Sequence, residues 1–192
     1  MKEDASIWDE RYKNKNITPT SPSMLLVKFT PLLLSMKNRG ATKALDIACG
    51  NGRNSKFLAQ LGFEVEALDI SSVALEFLKD FARIDAQLVD LDTFVLNKNY
   101  DVIADFYFLD RNLFVQIKNC LNPNGLFFYE SFAQAPDGFF PLQTTSISLN
   151  RTLRDGEIRK EFSGFNVLCD EHKCIFRANT PHCVQMFVAQ KI

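Results

Sequence analysis

The strongest constraint on the fold is a short glycine-containing segment that reads Asp46-Ile47-Ala48-Cys49-Gly50-Asn51-Gly52. An apolar run at residues 44–48 leads into this segment, and an amphipathic stretch at residues 54–61 follows it. A strand that turns through two glycines into a helix lets the backbone approach a ligand closely. The segment therefore predicts a ligand-binding turn in an α/β protein, although several nucleotide-binding folds share such a glycine pair.

Apolar and amphipathic stretches continue to alternate along the rest of the chain. Strands are predicted at residues 44–48, 65–70, 86–90, 100–106, 126–130, 165–169 and 184–191. Helices are predicted at residues 54–61, 73–81, 112–121 and 150–162, with an irregular loop over the active face at residues 133–150 and a helical lid within residues 1–40. We therefore predict one α/β domain over residues 1–192, with a Rossmann-like, seven-stranded, mostly parallel sheet. Helices should cover both faces, and the last strands should pair antiparallel.

Acidic residues recur at the ends of the first three predicted strands. Asp46 lies four residues before the first glycine, Asp69 lies at the end of the second strand, and Asp90 ends the third. A dinucleotide-binding turn would carry a third glycine three residues after the second, and here that position is Ser55. A pyrophosphate would also be repelled by Asp46, whereas a sulfonium and an ammonium group would be attracted. The pattern favours a cationic cofactor without phosphates.

Composition narrows the classes of protein to which the chain can belong. Its 192 residues are 46% hydrophobic and 23% charged, the balance of a globular protein with a sizeable core. The net charge of -1 disfavours nucleic acid as a partner, because phosphate neutralisation drives that binding. No apolar run is long enough to span a bilayer, and the acidic start lacks the features of a signal peptide. We expect a cytoplasmic protein whose 5 cysteines are reduced, with no membrane partner.

Residues 45–54 are similar to motif I of the class I S-adenosylmethionine-dependent methyltransferases. The form Cys-Gly-x-Gly-Arg-Asn at residues 49–54 resembles the small bacterial tellurite-resistance (TehB-like) branch of that class. Other stretches that resemble this branch are Trp8-Asp9-Glu10-Arg11-Tyr12, Pro22-Ser23, Ala67-Leu68-Asp69-Ile70-Ser71, Leu121-Asn122-Pro123-Asn124-Gly125, Tyr129-Glu130-Ser131-Phe132 and Leu153-Arg154-Asp155-Gly156-Glu157-Ile158. The resemblance covers nearly the whole chain. One departure is Asn124, which stands where the family commonly has glycine.

The resemblance implies a cofactor, S-adenosylmethionine, and a site for it. Residues implied to bind the cofactor are Trp8, Tyr12, Asp46, Ala48, Cys49, Gly50, Gly52, Asn54, Asp69, Ile70, Asp90, Leu91 and Phe106. The glycine segment would pass the methionine part, with Asp46 near its ammonium group. Asp69 would accept hydrogen bonds from the ribose, and Ile70, Asp90 and Leu91 would border the adenine. Phe106 would flank the methyl donor.

Some of these residues also have structural interpretations. Asp46, Asp69 and Asp90 could serve as helix caps, and Phe106 could belong to the core. Trp8 and Tyr12 lie four positions apart and could either close over the pocket or anchor an amphipathic helix to the core.

The methyl acceptor is not identified by any motif. The resemblance suggests a thiol or a chalcogen or metalloid oxyanion such as tellurite as the acceptor. A thiolate, a selenide or a tellurite-derived nucleophile would need little help beyond desolvation, whereas an oxygen or a neutral nitrogen would need a general base. Catalytic candidates, each of which could equally be structural, are Tyr107, Asp110, Arg111, Glu130 and His172. The Asn/Asp-Pro-Pro-aromatic run of amino-methyltransferases of DNA is absent, which favours a small-molecule acceptor. Methylation of a protein or RNA, or cofactor sensing without turnover, are the alternatives. The oligomeric state stays open.

A group of soft ligands near the C-terminus consists of Cys169, His172, Cys174, His182 and Cys183. Such residues bind zinc or metalloids when their spacing fits, and this spacing matches no common zinc pattern. If residues 169–176 form a strand, the side chains split between its two faces. We therefore predict no metal site, with His172 in the loop before the last strand.

Overall fold

The computed structural model describes residues 2–14, 19–138, 147–177 and 180–192. Its strands are β1 (Lys43–Ile47), β2 (Glu64–Asp69), β3 (Ile84–Leu88), β4 (Tyr100–Phe106), β5 (Leu121–Phe132), β6 (Phe165–Arg177) and β7 (Thr180–Lys191). Its α-helices are α1 (Lys2–Lys13), α2 (Met24–Lys28), α3 (Thr30–Asn38), α4 (Arg53–Gln60), α5 (Ser72–Leu75), α6 (Arg111–Cys120) and α7 (Glu157–Glu161). Short 3₁₀ turns occupy Glu76–Leu78 and Leu149–Arg151.

The described strands form one seven-stranded sheet in the order β3-β2-β1-β4-β5-β7-β6. Strands β1 to β5 pair parallel, and β7 pairs antiparallel with both β5 and β6. The chain runs outward from β1 through β2 to β3, and then returns to begin the other half of the sheet at β4. The predicted Rossmann-like sheet with an antiparallel C-terminal end is confirmed. Its topological switch point lies between β1 and β4, where open α/β sheets bind ligands.

Two apolar clusters cover the opposite faces of the sheet. Alternate residues of one strand belong to different clusters, so that Ile103 packs with α6 while Val102 packs with α2, α3 and α4. Strand β4 is buried along almost its whole length, the pattern expected of a parallel strand between two helix layers. Helices on both faces are therefore confirmed.

The structure corrects the predicted helix at residues 150–162. Only Glu157–Glu161 is α-helical, because the chain at Leu153 pairs with the backbone beyond β5. The Leu153 amide donates to the Phe132 carbonyl at 2.9 Å, and the Gln134 amide donates to the Leu153 carbonyl at 2.8 Å. These tertiary hydrogen bonds compete with helix formation, and Gly156, at φ +68°, begins the shorter helix.

The bounds of several other elements also differ from prediction. Strands β6 and β7 are longer than expected, which places His172 inside β6 and not in a loop before the last strand. The predicted helix at residues 73–81 ends earlier, as α5 followed by a 3₁₀ turn. Residues 133–138 and 147–150 of the predicted loop are described, whereas residues 139–146 lie outside the described residues.

Residues 122–125 form a bulge inside β5. Opposite the step from Tyr100 to Val102 in β4, strand β5 advances from Leu121 to Leu126. Asn124 has φ +63° there. Asparagine tolerates this left-handed conformation better than most residues, which explains how it replaces the glycine common in the family.

Among the described residues, no helix is both long and apolar enough to cross a membrane.

Two glycines with matched conformations begin α4 and α7 and allow a test of the packing around the glycine segment. Gly52 has φ +70° and Gly156 has φ +68°. A β-carbon at Gly52 would overlap the buried side chain of Leu78, whereas one at Gly156 would meet no atom within 4 Å. We expect Gly156→Ala to lower the free energy of unfolding by about 1–2 kcal/mol through backbone strain. Gly52→Ala should lower the free energy of unfolding by roughly 1–3 kcal/mol more than Gly156→Ala, because the added methyl group would overpack the core at Leu78.

Chemical denaturation of both variants measures this difference. Equal losses of unfolding free energy in the two variants would contradict the packing argument.

Candidate functional site

The glycine segment forms a tight left-handed turn at the carboxyl end of β1. Ala48 has φ +50°, Gly50 has φ +56° and Gly52 has φ +70°. The Cys49 amide donates to the Leu68 carbonyl at 2.9 Å, which extends the pairing of β1 with β2 into the turn. A β-carbon at Gly50 would overlap the hydroxyl of Tyr12, so glycine is required where helix α1 covers the turn. The turn lies beside the topological switch point between β1 and β4.

Asp46 lies beneath the turn and is almost fully buried. Its carboxylate accepts a hydrogen bond from the Ser55 hydroxyl at 2.5 Å, and Ser55 itself is completely buried in α4. Burial raises the pKa of the Asp46 carboxyl to about 6, although the hydrogen bond from Ser55 acts in the opposite direction. Ser55 occupies the position at which a dinucleotide-binding turn would have glycine. Its hydroxyl therefore ties the acid of β1 to the helix that follows the turn.

Asp69 connects the end of β2 to the glycine segment. Its carboxylate accepts hydrogen bonds from the Gly50 amide at 2.7 Å and from the Ser71 amide at 2.8 Å. Burial raises the pKa of Asp69, while the hydrogen bonds from backbone amides oppose that shift. A carboxylate has about four lone-pair sites, so two amide donors leave capacity for hydroxyl donors from a ligand.

Helix α1 docks on the loop that follows Asp69. The Asp9 carboxylate accepts hydrogen bonds from the Ser71 hydroxyl at 2.6 Å and from the Val73 amide at 3.2 Å. Ser71 is the N-cap residue of α5, so Asp9 links helix α1 to the first turn of α5. The Tyr12 hydroxyl contacts Gly50. Burial is the main cause that raises the pKa of Tyr12, and the nearby Asp69 charge acts in the same direction. Trp8 packs near Tyr12 but remains 41% exposed.

The remaining residues implied to border the cofactor lie around the same edge. Asn54, in the first turn of α4, is buried, and its side-chain oxygen accepts from the Ser23 amide at 2.9 Å. Ile70 is half-buried between Asp69 and α5. Asp90 lies two residues beyond the end of β3, where its carboxylate accepts from the Asp92 amide at 3.1 Å. Cys49 and Leu91 are buried, and burial raises the pKa of the Cys49 thiol.

Phe106 is the last residue of β4 and belongs to the apolar core. It is 8% exposed and packs in the cluster formed with α2 and α4. These contacts are those of a core residue, and a contact between Phe106 and the methyl donor stays a prediction.

The carboxyl ends of β4 and β5 bring two of the catalytic candidates together. The Tyr107 hydroxyl donates a short hydrogen bond to Glu130 Oε1, and the Ser23 hydroxyl donates to Glu130 Oε2 at 3.0 Å. The Tyr107 amide also donates to the Glu130 carbonyl at 2.6 Å. Tyr107 has φ +67°, a conformation that is uncommon outside glycine and recurs at functional sites.

Two other candidates have structural contacts. The Arg111 guanidinium pairs with both carboxylate oxygens of Glu157, at 2.5 and 2.9 Å, and donates to the carbonyls of Asn150 and Thr152. Asp110 is the N-cap residue of α6, where its carboxylate accepts from the Asn112 amide at 2.9 Å. Arg111 therefore connects α6 to the segment before α7, and Asp110 begins α6.

The C-terminal cysteines and histidines lie on two adjacent strands and split between the faces of the sheet. Cys169 packs with one core cluster and Cys183 with the other. His172 lies in β6 opposite Gln185, with its Nε2 atom 4.0 Å from Asp155. His182 is buried in β7, with its ring against Phe132. No group of three or more potential ligand side chains is arranged for a metal ion within the described part of the chain.

Sequence reasoning missed three residues that organise the site. Asp9 accepts a hydrogen bond at the start of α5, which lies more than sixty positions away in the sequence. Ser23 connects Asn54 of α4 to Glu130 of β5. The sequence pattern marks Ser55 as the residue that stands in place of a glycine, but it does not indicate the hydrogen bond to Asp46. The motif around Trp8 and the Pro22-Ser23 pair marked the right segments, but a single sequence does not show which distant residues they contact.

A buried carboxyl of a different kind lies one residue before the end of β4. Asp105 is 1% exposed, and within the described residues its Oδ1 atom has no hydrogen-bond partner. Burial raises the pKa of Asp105 well above its usual range, which favours the neutral acid.

Comparisons with known proteins agree with this geometry. A family model described as "Tellurite resistance protein TehB" matches residues 27–173, which is more than half of the chain. The chain is 36% identical over 77 residues to a probable S-adenosyl-L-methionine-dependent methyltransferase TehB of Haemophilus influenzae. That match covers 36% of this chain and 27% of the relative, so the chain matches only about a quarter of the relative's length.

Solved structures with the same fold include TehB from Haemophilus influenzae, with a TM-score of 0.71 at 20% identity, covering 96% of this chain and 67% of that one. Magnesium protoporphyrin IX methyltransferase from Synechocystis PCC 6803, solved with bound S-adenosylhomocysteine, has a TM-score of 0.58 at 18% identity, covering 86% and 80% of the two chains. At these identities the solved structures establish the fold alone. The family model and the class I fold together show that this chain belongs to the TehB family of S-adenosylmethionine-dependent methyltransferases.

Proposed function

We propose that this chain transfers the methyl group of S-adenosylmethionine to a small-molecule acceptor. The observation that carries the proposal is the hydrogen bond from the Gly50 amide to the Asp69 carboxylate, which joins the glycine turn to the acid that we propose binds the ribose. A thiol and a chalcogen or metalloid oxyanion such as tellurite are the acceptor classes that the family resemblance suggests.

The donor groups at this edge fit S-adenosylmethionine. Asp69 retains acceptor capacity for ribose hydroxyls, and the half-buried Ile70 offers an apolar surface for the adenine. Asp90 and the backbone of Leu91 would border the adenine from the far side, beyond β3. The turn of Ala48, Cys49, Gly50 and Gly52 would pass the methionine part, with Asp46 below it and Asn54 behind.

The described residues contribute mainly positioning. Bound S-adenosylmethionine supplies a methyl group on a positively charged sulfur. Carboxylates at Asp46 and Asp69 favour a cation there, and helix α1, with Trp8 and Tyr12, would cover the site and exclude water. Holding the two reactants in line supplies much of the acceleration in a displacement of this kind.

The acceptor edge is the other half of the sheet, beyond the switch point. Tyr107 and Glu130 lie there, at the carboxyl ends of β4 and β5. His172 lies in β6, with Nε2 4.0 Å from Asp155, and remains a candidate for contact with the acceptor.

The function is tested by cofactor binding and by turnover. We expect Asp69→Ala to weaken S-adenosylmethionine binding at least about tenfold, because hydrogen bonds to a charged group are worth roughly 1.5–3 kcal/mol each. Asp85→Ala is the control, since Asp85 is an exposed carboxylate on the neighbouring strand. Titration calorimetry measures binding, and release of S-adenosylhomocysteine measures turnover against thiols, amines, phenols, selenite and tellurite.

Unchanged binding by Asp69→Ala would contradict the ribose assignment. Tight binding by the wild-type protein without turnover of any small acceptor would contradict the proposed reaction and favour a sensor or a macromolecular substrate.

Ionisation of Asp46 predicts a pH dependence of cofactor binding. Burial raises the pKa of Asp46 to about 6, so the carboxyl becomes neutral as the pH falls below that value and its attraction for the ammonium group is lost. We expect the affinity for S-adenosylmethionine to fall between pH 7 and pH 5, and Asp46→Asn to bind weakly with a flatter pH profile. An equally steep pH profile in Asp46→Asn would assign the titration to another group.

The raised pKa of Asp46 also implies that the free energy of unfolding depends on pH. The native state holds the Asp46 proton more tightly than the unfolded chain, whose pKa is about 3.9. Ionising the buried carboxyl therefore costs stability, and the free energy of unfolding relative to Asp46→Asn should decrease as the pH rises from 4 to 7. Urea denaturation of both proteins at each pH checks the sign.

Helix α1 docks through Asp9 on Ser71 and Val73, directly after Asp69, and we therefore expect Asp9 to support cofactor binding. We expect Asp9→Ala to weaken S-adenosylmethionine binding about three- to tenfold and to speed hydrogen exchange in α1, because the Ser71 hydroxyl and the Val73 amide lose their partner. Glu10→Ala is a matched control, since Glu10 is the next residue of α1 and pairs with Lys13 on the exposed surface. Equal effects of the two substitutions would argue against a specific role for Asp9.

A further inference from the structure

The acceptor half of the strand-end edge contains a connected set of hydroxyl and carboxylate groups, here called the Glu130 network: Tyr107, Glu130, Ser23 and Asn54. Each oxygen of the Glu130 carboxylate accepts one hydroxyl hydrogen bond, from Tyr107 and from Ser23 respectively. The Ser23 amide in turn donates to Asn54 Oδ1 at 2.9 Å. The network therefore runs from the helix that follows the glycine turn to the ends of β4 and β5.

Its position relative to the glycine turn follows from the sheet order. Strand β1, which carries the turn, is adjacent to β4, and β4 is adjacent to β5. Tyr107 follows β4 directly, and Glu130 pairs with Phe106, the last residue of β4. A methyl donor seated on the glycine turn would thus have the Glu130 network on its β4 side, across the switch point where such sheets bind ligands.

The Glu130 carboxylate has no ion-pair partner among the described residues. The catalytic candidate Arg111 is paired with Glu157 instead. Residues 139–146 of the segment that follows β5 contain no charged side chain in the sequence. Asp105 differs from Glu130, because it is almost fully buried and its neutral form is favoured.

The Glu130 carboxylate favours a neutral methyl acceptor over an anionic one. An oxyanion held a few ångströms from Glu130 would be repelled, which lowers its occupancy at least about tenfold in a partly desolvated site. A neutral acceptor whose nucleophilic atom carries a proton would be attracted, since it can donate a hydrogen bond to the network. The hydroxyl of Tyr107 both donates and accepts, so it can receive a hydrogen bond from such an acceptor while it donates to Glu130.

We propose that Glu130, acting through the Tyr107 hydroxyl, is the proton acceptor for methylation of a neutral small molecule that carries a thiol or hydroxyl group. This inference rests on the proposed methyltransferase function. As the acceptor atom forms its bond to the methyl carbon, the carbon–sulfur bond breaks and its electron pair stays on sulfur. The acceptor's proton passes to the oxygen of Tyr107, whose own proton passes to Glu130. The products are the methylated acceptor, S-adenosylhomocysteine and a protonated Glu130.

The experiment compares three proteins, wild type, Glu130→Gln and Tyr107→Phe, with matched acceptors. The acceptors are 2-mercaptoethanol, the same type of thiol with an added carboxylate (3-mercaptopropionate), phenol and tellurite. Release of S-adenosylhomocysteine is followed from pH 6.5 to pH 9.5, and S-adenosylmethionine affinity and thermal unfolding are measured for each protein. Glu171→Gln is the control, because Glu171 is an exposed strand glutamate paired with Lys28.

We expect wild type to methylate the neutral acceptors at least about tenfold faster than either anion. At pH 7 Glu130→Gln should lose about a hundredfold or more in kcat with 2-mercaptoethanol, the usual contribution of a general base, with cofactor affinity within about twofold of wild type. That loss should shrink as the pH rises toward the pKa of the thiol, because a growing fraction of the acceptor is then already the thiolate and needs no base. Tyr107→Phe should show a smaller loss with the same recovery.

A Glu130→Gln protein as active as Glu171→Gln at pH 7, or a loss that does not recover at high pH, would overturn the inference. If Glu130→Gln does not fold, Tyr107→Phe alone decides by the same criterion. Faster methylation of tellurite than of the neutral acceptors would overturn the inference and leave the methyltransferase function intact. Tight cofactor binding without turnover of any acceptor would overturn both.

Discussion

The hydrogen bond from the Gly50 amide to the Asp69 carboxylate is the interaction on which the rest of the site depends. It joins the turn after β1 to the end of β2, and the same carboxylate also holds the Ser71 amide at the start of α5. The Ser71 hydroxyl donates to Asp9 of α1, so the loop after β2 also positions this helix. The Tyr12 hydroxyl of α1 then contacts Gly50. One buried acid therefore organises the turn after β1, the loop after β2 and helix α1, which covers them.

A second set of contacts links this half of the sheet to the other. Ser23 is bonded both to Asn54, behind the glycine turn, and to Glu130, at the end of β5. In the proposed reaction the first half binds the methyl donor and the second receives the acceptor, with the topological switch point between them. The difference in burial between Asp46, which is almost fully buried, and Glu130, which is half-buried, fits this division.

Local patterns in the sequence were sufficient to predict the sheet and the glycine turn, because alternation, strand-end acids and glycines act over a few residues. The first four strands lie within two residues of their predicted bounds. The helix predicted at residues 150–162 failed because Leu153 bonds to the backbone beyond β5, a contact between distant segments. Placing His172 in a loop failed for a related reason, since pairing with β7 extends β6 well past Cys169.

Among the site residues, the sequence pattern located Asp46 and Asp69 but not their partners. The positions of Asp9, Ser23 and Ser55 depend on tertiary packing, and no short-range pattern encodes it. Tyr107 and Glu130 were candidates because they follow strands, yet their hydrogen bond, and the structural contacts that hold Arg111, appear only when β4, β5 and α7 are placed together.

A crystal structure of the protein with S-adenosylhomocysteine would show whether Asp69 binds the ribose. We expect ribose hydroxyls within about 3.2 Å of the Asp69 carboxylate, the limit of ordinary hydrogen bonds. We also expect the amino-acid part of the ligand on the turn between Ala48 and Gly52, with the sulfur directed toward Tyr107 and Glu130. A ligand whose ribose lies away from Asp69, or whose sulfur faces away from the ends of β4 and β5, would contradict the proposed site.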